Sequence, residues 1–328
     1  MPAGLTGRYA AIDHLKTMAI VSVCITHAMP NVLQGMTPTS AERIATVMLS
    51  FHVPALLFAA GFLAAAGRRN AGPVGAQLKR ILVPYLVASI VAIVLLRWRV
   101  VTLHQVAFWL ATGSAIGIYY FIPVLVCCLA TLPIIARLGA FALGGVLIVL
   151  AIYASLAWHD PSWRLTQGFF WHIRDVLMQF HLGYFLLGVL GARLAPRLRR
   201  LRDRAAPLCV AAALLAIAAY AWLVAGENLA MWAPLARAGY LLGVVGLIAT
   251  MVPRGVAPGP VRFLSEATLT IYLYHHMLYP ALLPQLRAAL PPGLAAVAAA
   301  ACGVALGAAV AWTGRRLLGT RSRVLIGT

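Results

Sequence analysis

The stretch AAPLCVAAALLAIAAYAWLVA (205–225) decides what kind of molecule this is. It runs for 21 residues without a charge. A bilayer core about 30 Å thick is crossed by about 20 helical residues, so this run is long enough to span it. Directly before it stands RLRRLRDR (197–204), with Arg197, Arg199, Arg200, Arg202 and Arg204. An uncharged run abutting a cluster of arginines is the pattern of a span whose near end faces the cytoplasm.

The rest of the chain agrees with that segment. Of 328 residues, 62% are apolar and only 10% charged, against about 25% charged in a soluble domain. The mean hydropathy is +0.91. There is too little polar side chain to coat a water-facing globule of this size. The 26 basic and 7 acidic residues give a formal charge of +19. In a soluble protein that would point to nucleic acid. Here the arginines lie between apolar runs, so the expected partner is the anionic surface of a lipid bilayer, with no nucleic acid. The five cysteines, Cys24, Cys127, Cys128, Cys209 and Cys302, all fall in apolar runs at no zinc-like spacing. They read as buried thiols, and no metal site is expected.

Apolar runs bounded by polar, Pro or Gly breaks predict about ten spans of workable length. They lie near 11–30, 46–66, 80–97, 118–136, 139–158, 176–195, 205–225, 234–252, 262–284 and 294–314, with a short interfacial helix at 104–112. With the N-terminus inside, the inner connections carry Arg68, Arg69, Lys79, Arg137, the 197–204 cluster, Arg254, and Arg315, Arg316, Arg321 and Arg323 near the C-terminus. The outer connections carry Arg43, Arg99, Arg164, Arg174 and Arg287. This asymmetry predicts both termini in the cytoplasm. The expected architecture is all-α: a single polytopic helical domain over 1–328, multi-pass in the inner (plasma) membrane. The first run holds Asp13, Lys16 and His27 and reads as a retained helix rather than a cleaved leader.

Ionisable groups inside spans are costly, so each is a functional candidate. Lys16 and His27 are eleven residues apart. That spacing is about three turns, so both face one side, about 16 Å apart along the axis. Asp13 lies one turn from Lys16 and is placed to pair with it; a purely interfacial position for those two is the plainer alternative. His52 at the start of the second span, His181 in the sixth, and His275 and His276 in the ninth reach the same outer level as His27. Histidine is the natural general base near neutral pH and is also a metal or haem ligand. At the opposite face, Arg68, Arg69, Lys79 and Arg80 bracket a loop with Gly72, Pro73 and Gly75, a candidate docking point for the phosphates of a cytoplasmic ligand.

Four motifs together resemble a known family. RYAAIDHLKTMAIVSVCITHA (8–28) is similar to the first helix of the acyltransferase-3 family, with a basic residue, ten residues and then histidine, here Lys16 to His27. FHVPALLFAAGFL (51–63) resembles its second helix, and KRILVPYL (79–86) the start of its third. TLTIYLYHHML (268–278) resembles its late Ile-Tyr-x-x-His segment, here Ile271, Tyr272 and His275. The nearest likeness is to the branch related to fucose 4-O-acetylases. One departure stands out. The family's pair of arginines at the start of helix 3 reads Gln77 and Arg80 here, with Lys79 beside them. Lys79 replaces a charge but not a bidentate geometry.

The resemblance implies an O-acyltransferase that moves an acetyl group from acetyl-coenzyme A to a glycan or lipid-linked glycan, with no bound cofactor. It implies His27, Lys16 and Asp13 as the catalytic residues, with His27 either the general base or the carrier of a covalent acyl group. It implies donor contacts at Arg80, Lys79, Gln77 and Tyr85, and substrate or oxyanion contacts at His52, Tyr272 and His275. The donor's arm would rise between the first and third spans. Two other readings stay open on residues alone: a proton-coupled transporter using the Asp13, Lys16 and His27 relay, and a bis-histidine haem protein.

Overall fold

The computed structural model describes residues 9–32, 40–67, 74–97, 102–160, 176–177, 179–225, 233–253 and 255–327. Over these residues it is 89% helical with no strand, so the all-α expectation holds. Among the described residues, seven helical segments are long and apolar enough to cross a membrane, the longest being His181–Ala225. Their outer faces are greasy: Phe141 is 98% exposed, Leu208 73% and Trp222 70%. Such exposure suits lipid and not water.

The chain begins with α1 (Ala10–Val32), then α2 (Ser40–Leu49), α3 (His52–Ala66), α4 (Val74–Arg97) and α5 (Leu103–Thr112). A capping box between Thr102 and Gln105 starts α5, the predicted interfacial helix. A 3-10 turn (Gly117–Tyr120) leads into α6 (Phe121–Ala130), α7 (Leu132–Ile135) and α8 (Ala140–His159). After α9 (His181–Ala225) and α10 (Ala233–Met251) come three short helices: α11 (Gly259–Glu266), α12 (Thr268–Tyr274) and, past a 3-10 turn at His275–Met277, α13 (Tyr279–Ala289). The long α14 (Pro292–Leu318) and the short α15 (Ser322–Leu325) close the chain.

Helix α1 is central. It packs on α3, α14, α11 and α12, and Ile12, Leu15, Ala19, Ile20, Val23 and Cys24 are buried around it. That is why its apolar residues show no single face. Two glycine contacts set the tightest crossings. A Cβ on Gly61 of α3 would sit 2.0 Å from the Phe185 carbonyl oxygen of α9, and one on Gly188 would sit 2.0 Å from the Phe58 carbonyl oxygen. On the other side, a Cβ on Gly307 of α14 would lie 2.4 Å from the Cα of Ile271 in α12. With lipid outside offering no hydrophobic contrast, such backbone-to-backbone packing is what draws membrane helices together.

Three departures from the predicted spans have local causes. The predicted inner loop 196–204 is helical and continues into 205–225; the backbone breaks only at Ala205 (φ −140°, ψ 36°). Arg and Leu are good helix formers, and Pro207, which has no N–H to give, places the break just before itself. The predicted span 118–136 is jointed at Thr131, where Pro133 follows. The predicted span 262–284 is likewise three short helices. Pro280 cannot donate to the His276 carbonyl four residues back; the Leu278 N–H takes that carbonyl instead and tightens the turn. Irregular backbone at this depth occurs where it is buried in protein or lines a cavity, and this turn carries His275. Arg68, Arg69, Gly72 and Pro73 lie outside the described residues, as do Arg99, Arg164, His172, Arg174 and Arg254.

Candidate functional site

The jointed segment brings its histidines to α1. His27 Nδ1 lies 3.0 Å from His275 Nε2, with the rings near-parallel at 14° and their centroids 5.3 Å apart. His52 stands 6.0 Å from His27 and His276 6.2 Å, both edge-on. His27 is half-buried, while His275 is fully buried and His52 nearly so. Among the described residues no group of side chains has the arrangement to hold a metal ion.

The hydrogen bonds fix the tautomers. His275 Nδ1 lies 3.0 Å from the Ile271 carbonyl and 2.9 Å from that of Tyr272. Carbonyl oxygens only accept, so the Nδ1 of His275 carries the hydrogen. Its Nε2, in a neutral ring, is then an acceptor. The His27 Nδ1–H donates to it, which leaves the His27 lone pair on Nε2. His275 thus stands to His27 as an orienting acceptor stands to the base of a catalytic triad. His52 is set in the same way: its Nδ1–H donates to the Leu49 carbonyl at 2.9 Å, and its lone pair is on Nε2.

The pair is braced on both sides. The Tyr279 hydroxyl donates to the Cys24 carbonyl at 2.8 Å, one turn below His27. A Cβ on Gly303 of α14 would come within 3.1 Å of the His275 Cβ and 3.2 Å of the Tyr279 hydroxyl, tighter than ordinary contact. On the far side, Tyr272 donates to the Ile118 carbonyl and Tyr119 to that of Leu273, a reciprocal clasp between α12 and the Gly117–Tyr120 turn. The Tyr272 hydroxyl has one proton, and that proton is engaged.

Asp13 and Lys16 are placed elsewhere. Ser265 Oγ donates to Asp13 Oδ1 at 2.5 Å, and Lys16 Nζ donates to the Ser265 carbonyl, also at 2.5 Å. Thr17 adds a bond to the Val261 carbonyl. These three fasten the end of α11 to α1, with a cation at a helix C-terminus where the macrodipole favours it. They sit about three turns from His27 and are not brought to it.

The remaining donor-side candidates lie along α4. Lys79 and Arg80 are exposed near its start and Gln77 is partly exposed. Tyr85 is buried and donates to the Leu110 carbonyl at 2.7 Å. The main neighbours of α4 are α5, α6, α12 and α15, and α12 packs on α1 as well, so α12 stands beside the route expected between the first and third spans. A line of rings joins the two regions, from Tyr85 to Tyr119 (5.9 Å), Tyr272 (6.4 Å), His275 (6.2 Å) and His27.

Reading residues one by one singled out neither Tyr279 nor the orienting role of His275. The signal for Tyr279 was its position, one helical turn past His275. The His27–His275 bond joins residues 248 positions apart, and no local pattern encodes it.

A family model described as an acyltransferase domain matches residues 9–314. No curated protein and no solved structure matches the chain.

Proposed function

The chain belongs to the acyltransferase-3 family and is a membrane acyltransferase, and from that premise we propose that it carries an acetyl group from acetyl-coenzyme A to a hydroxyl of a glycan or lipid-linked glycan, with His27 as general base. The observation that carries this reading is the His27–His275 hydrogen bond, which leaves a basic nitrogen on His27.

The protein sits in the inner membrane with both termini in the cytoplasm. The donor's phosphates meet Arg80 and Lys79, with Gln77 alongside. Its pantetheine arm follows α12 past the line of rings from Tyr85. The His27 Nε2 takes the proton of an acceptor hydroxyl; the freed oxygen forms a bond to the thioester carbonyl carbon. The tetrahedral intermediate then expels the coenzyme A thiolate as the C–S bond breaks, and the imidazolium returns its proton to that sulfur. His52, with its lone pair on Nε2, accepts a hydrogen bond from the acceptor substrate. Tyr272, with its hydroxyl bonded to Ile118, and Tyr85, bonded to Leu110, hold the walls. Asp13 and Lys16 act at a distance, keeping α11 on α1 at the donor's mouth.

The reading is tested by thiol release from acetyl-, butyryl- and palmitoyl-coenzyme A by the purified protein in nanodiscs. Release from acetyl-coenzyme A supports it; release from palmitoyl-coenzyme A alone overturns the acetyl assignment. Two variants sharpen the roles. Arg80→Ala is expected to raise KM for the donor on the order of tenfold with kcat little changed, as for a contact made equally in ground and transition states. An unchanged KM removes Arg80 from the donor site. His275→Phe, which keeps a ring but no acceptor for His27 Nδ1–H, is expected to lower kcat by about 10² with KM unchanged. A variant with full kcat shows that His27 needs no orienting partner.

A further inference from the structure

Away from the histidines, a second set of polar and aromatic side chains gathers where α8, α9 and α10 pack together. The Arg237 guanidinium lies over the Trp158 ring, 5.6 Å from its centroid. Arg237 stands one helical turn before Tyr240 on α10, and the Tyr184 hydroxyl donates to the Pro234 carbonyl at 3.5 Å. Tyr220 stacks on Tyr240 with centroids 4.6 Å apart and planes 4° from parallel. Two donors in this set, Arg237 Nε and the Tyr220 hydroxyl, are buried with no hydrogen-bond partner among the described residues. No carboxylate among the described residues pairs with Arg237.

This set is connected to the histidine cluster. The Tyr240 hydroxyl donates to the Met48 carbonyl at 2.9 Å, and its ring meets Phe51 at 6.0 Å. Phe51 immediately precedes His52, which faces His27. Arg237 and His27 therefore share one end of the bundle, joined by a short run of aromatic side chains.

A charged side chain within the membrane is rare and usually faces a partner or a pathway. A buried donor left unpaired is destabilising, more so when charged, so a guanidinium Nε–H and a hydroxyl with no partner among the described residues make a standing site for an acceptor group. Guanidinium matches the paired oxygens of a carboxylate or phosphate. Aromatic walls with a few convergent polar groups are the ordinary lining of a small-molecule site, and they suit a sugar, with C–H groups on its faces and hydroxyls at its edge.

We propose that Arg237 and Tyr220 form an acceptor subsite that takes the carboxylate or phosphate of an anionic carbohydrate, whose neighbouring hydroxyl is presented to His27. The proposal rests on the acyl-transfer reading for its purpose, but binding is measured without turnover, so the two fail separately.

The test is equilibrium binding to the protein in nanodiscs of three probes: methyl glucuronoside, glucose 6-phosphate and neutral methyl glucoside. At least one anionic probe is expected to bind tenfold or more tightly than the neutral one. Arg237→Gln should erase that preference, and Tyr220→Phe should reduce it. Preference for the glucuronoside alone assigns a uronic acid, and preference for the phosphate alone a phosphorylated sugar. Equal affinity for all three probes, or a preference that survives Arg237→Gln, overturns the proposal. Should Arg237→Gln fail to fold, the wild-type ratio and Tyr220→Phe still decide.

Discussion

Replacing His27 with alanine is expected to lower acetyl transfer by about 10² to 10⁴, the contribution typical of a positioned general base. The geometry explains why this one residue carries so much. Of the two bonded rings, His275 has its Nδ1–H on the backbone carbonyls of Ile271 and Tyr272 and its Nε2 on His27. Both of its nitrogens are occupied, so it cannot take over the base's work. His52 has a lone pair on Nε2 as well, but its ring centroid is 6.0 Å from that of His27, too far to reach the same proton without moving the substrate. The variant should remain folded and in the membrane, because the apolar residues of α1 make its core contacts. Its elution profile and thermal midpoint should match wild type while product ester disappears. A folded His27→Ala protein with full activity would remove His27 from the mechanism.

The second large effect falls on folding. Gly188→Ala is expected to destabilise the protein by about 3 kcal/mol, the upper part of the range for overpacking a fitted core. The new methyl would lie 2.0 Å from the Phe58 carbonyl oxygen and 2.8 Å from the Phe62 nitrogen. These are backbone atoms of α3 and cannot rotate aside. The helices must separate, and the loosened crossing includes the start of α3, where His52 sits. Gly61→Ala meets the Phe185 carbonyl oxygen from the other side of the same crossing, so the double variant should cost less than the sum of the two singles. Gly75→Ala, with nothing within 4 Å of the added Cβ, is the control. Thermal unfolding in nanodiscs reads all four; a Gly188→Ala midpoint equal to that of Gly75→Ala would show that the crossing is not as tight as described.

The membrane class was legible because it depends on composition and run length, as in 205–225. The gathering of His52, His275 and His276 about His27 was legible too, since residue counts along spans convert directly to depth. The positions of the breaks were harder to read. Arg197 to Arg204 look like a loop by polarity, yet they are helix formers and stay helical until Ala205. TLTIYLYHHMLY reads as one continuous apolar run, and only Pro280 hints that the helix must break around His275. The pairing of His27 with His275 is a tertiary fact between distant residues. Arg237 escaped notice because, at the edge of an apolar run, it looks like one more basic flank; only packing shows it over Trp158 with no partner for its Nε among the described residues. The motifs over 8–278 pointed to the same family that the match over residues 9–314 shows.

The most direct test of the central claim is transfer of labelled acetyl from acetyl-coenzyme A by the purified protein, in vesicles that also hold membrane glycans from its host cell. The account predicts label in an alkali-labile ester on the glycan, formed by wild type and absent with His27→Ala. Glycan that stays unlabelled while acetyl-coenzyme A is neither bound nor consumed would contradict it.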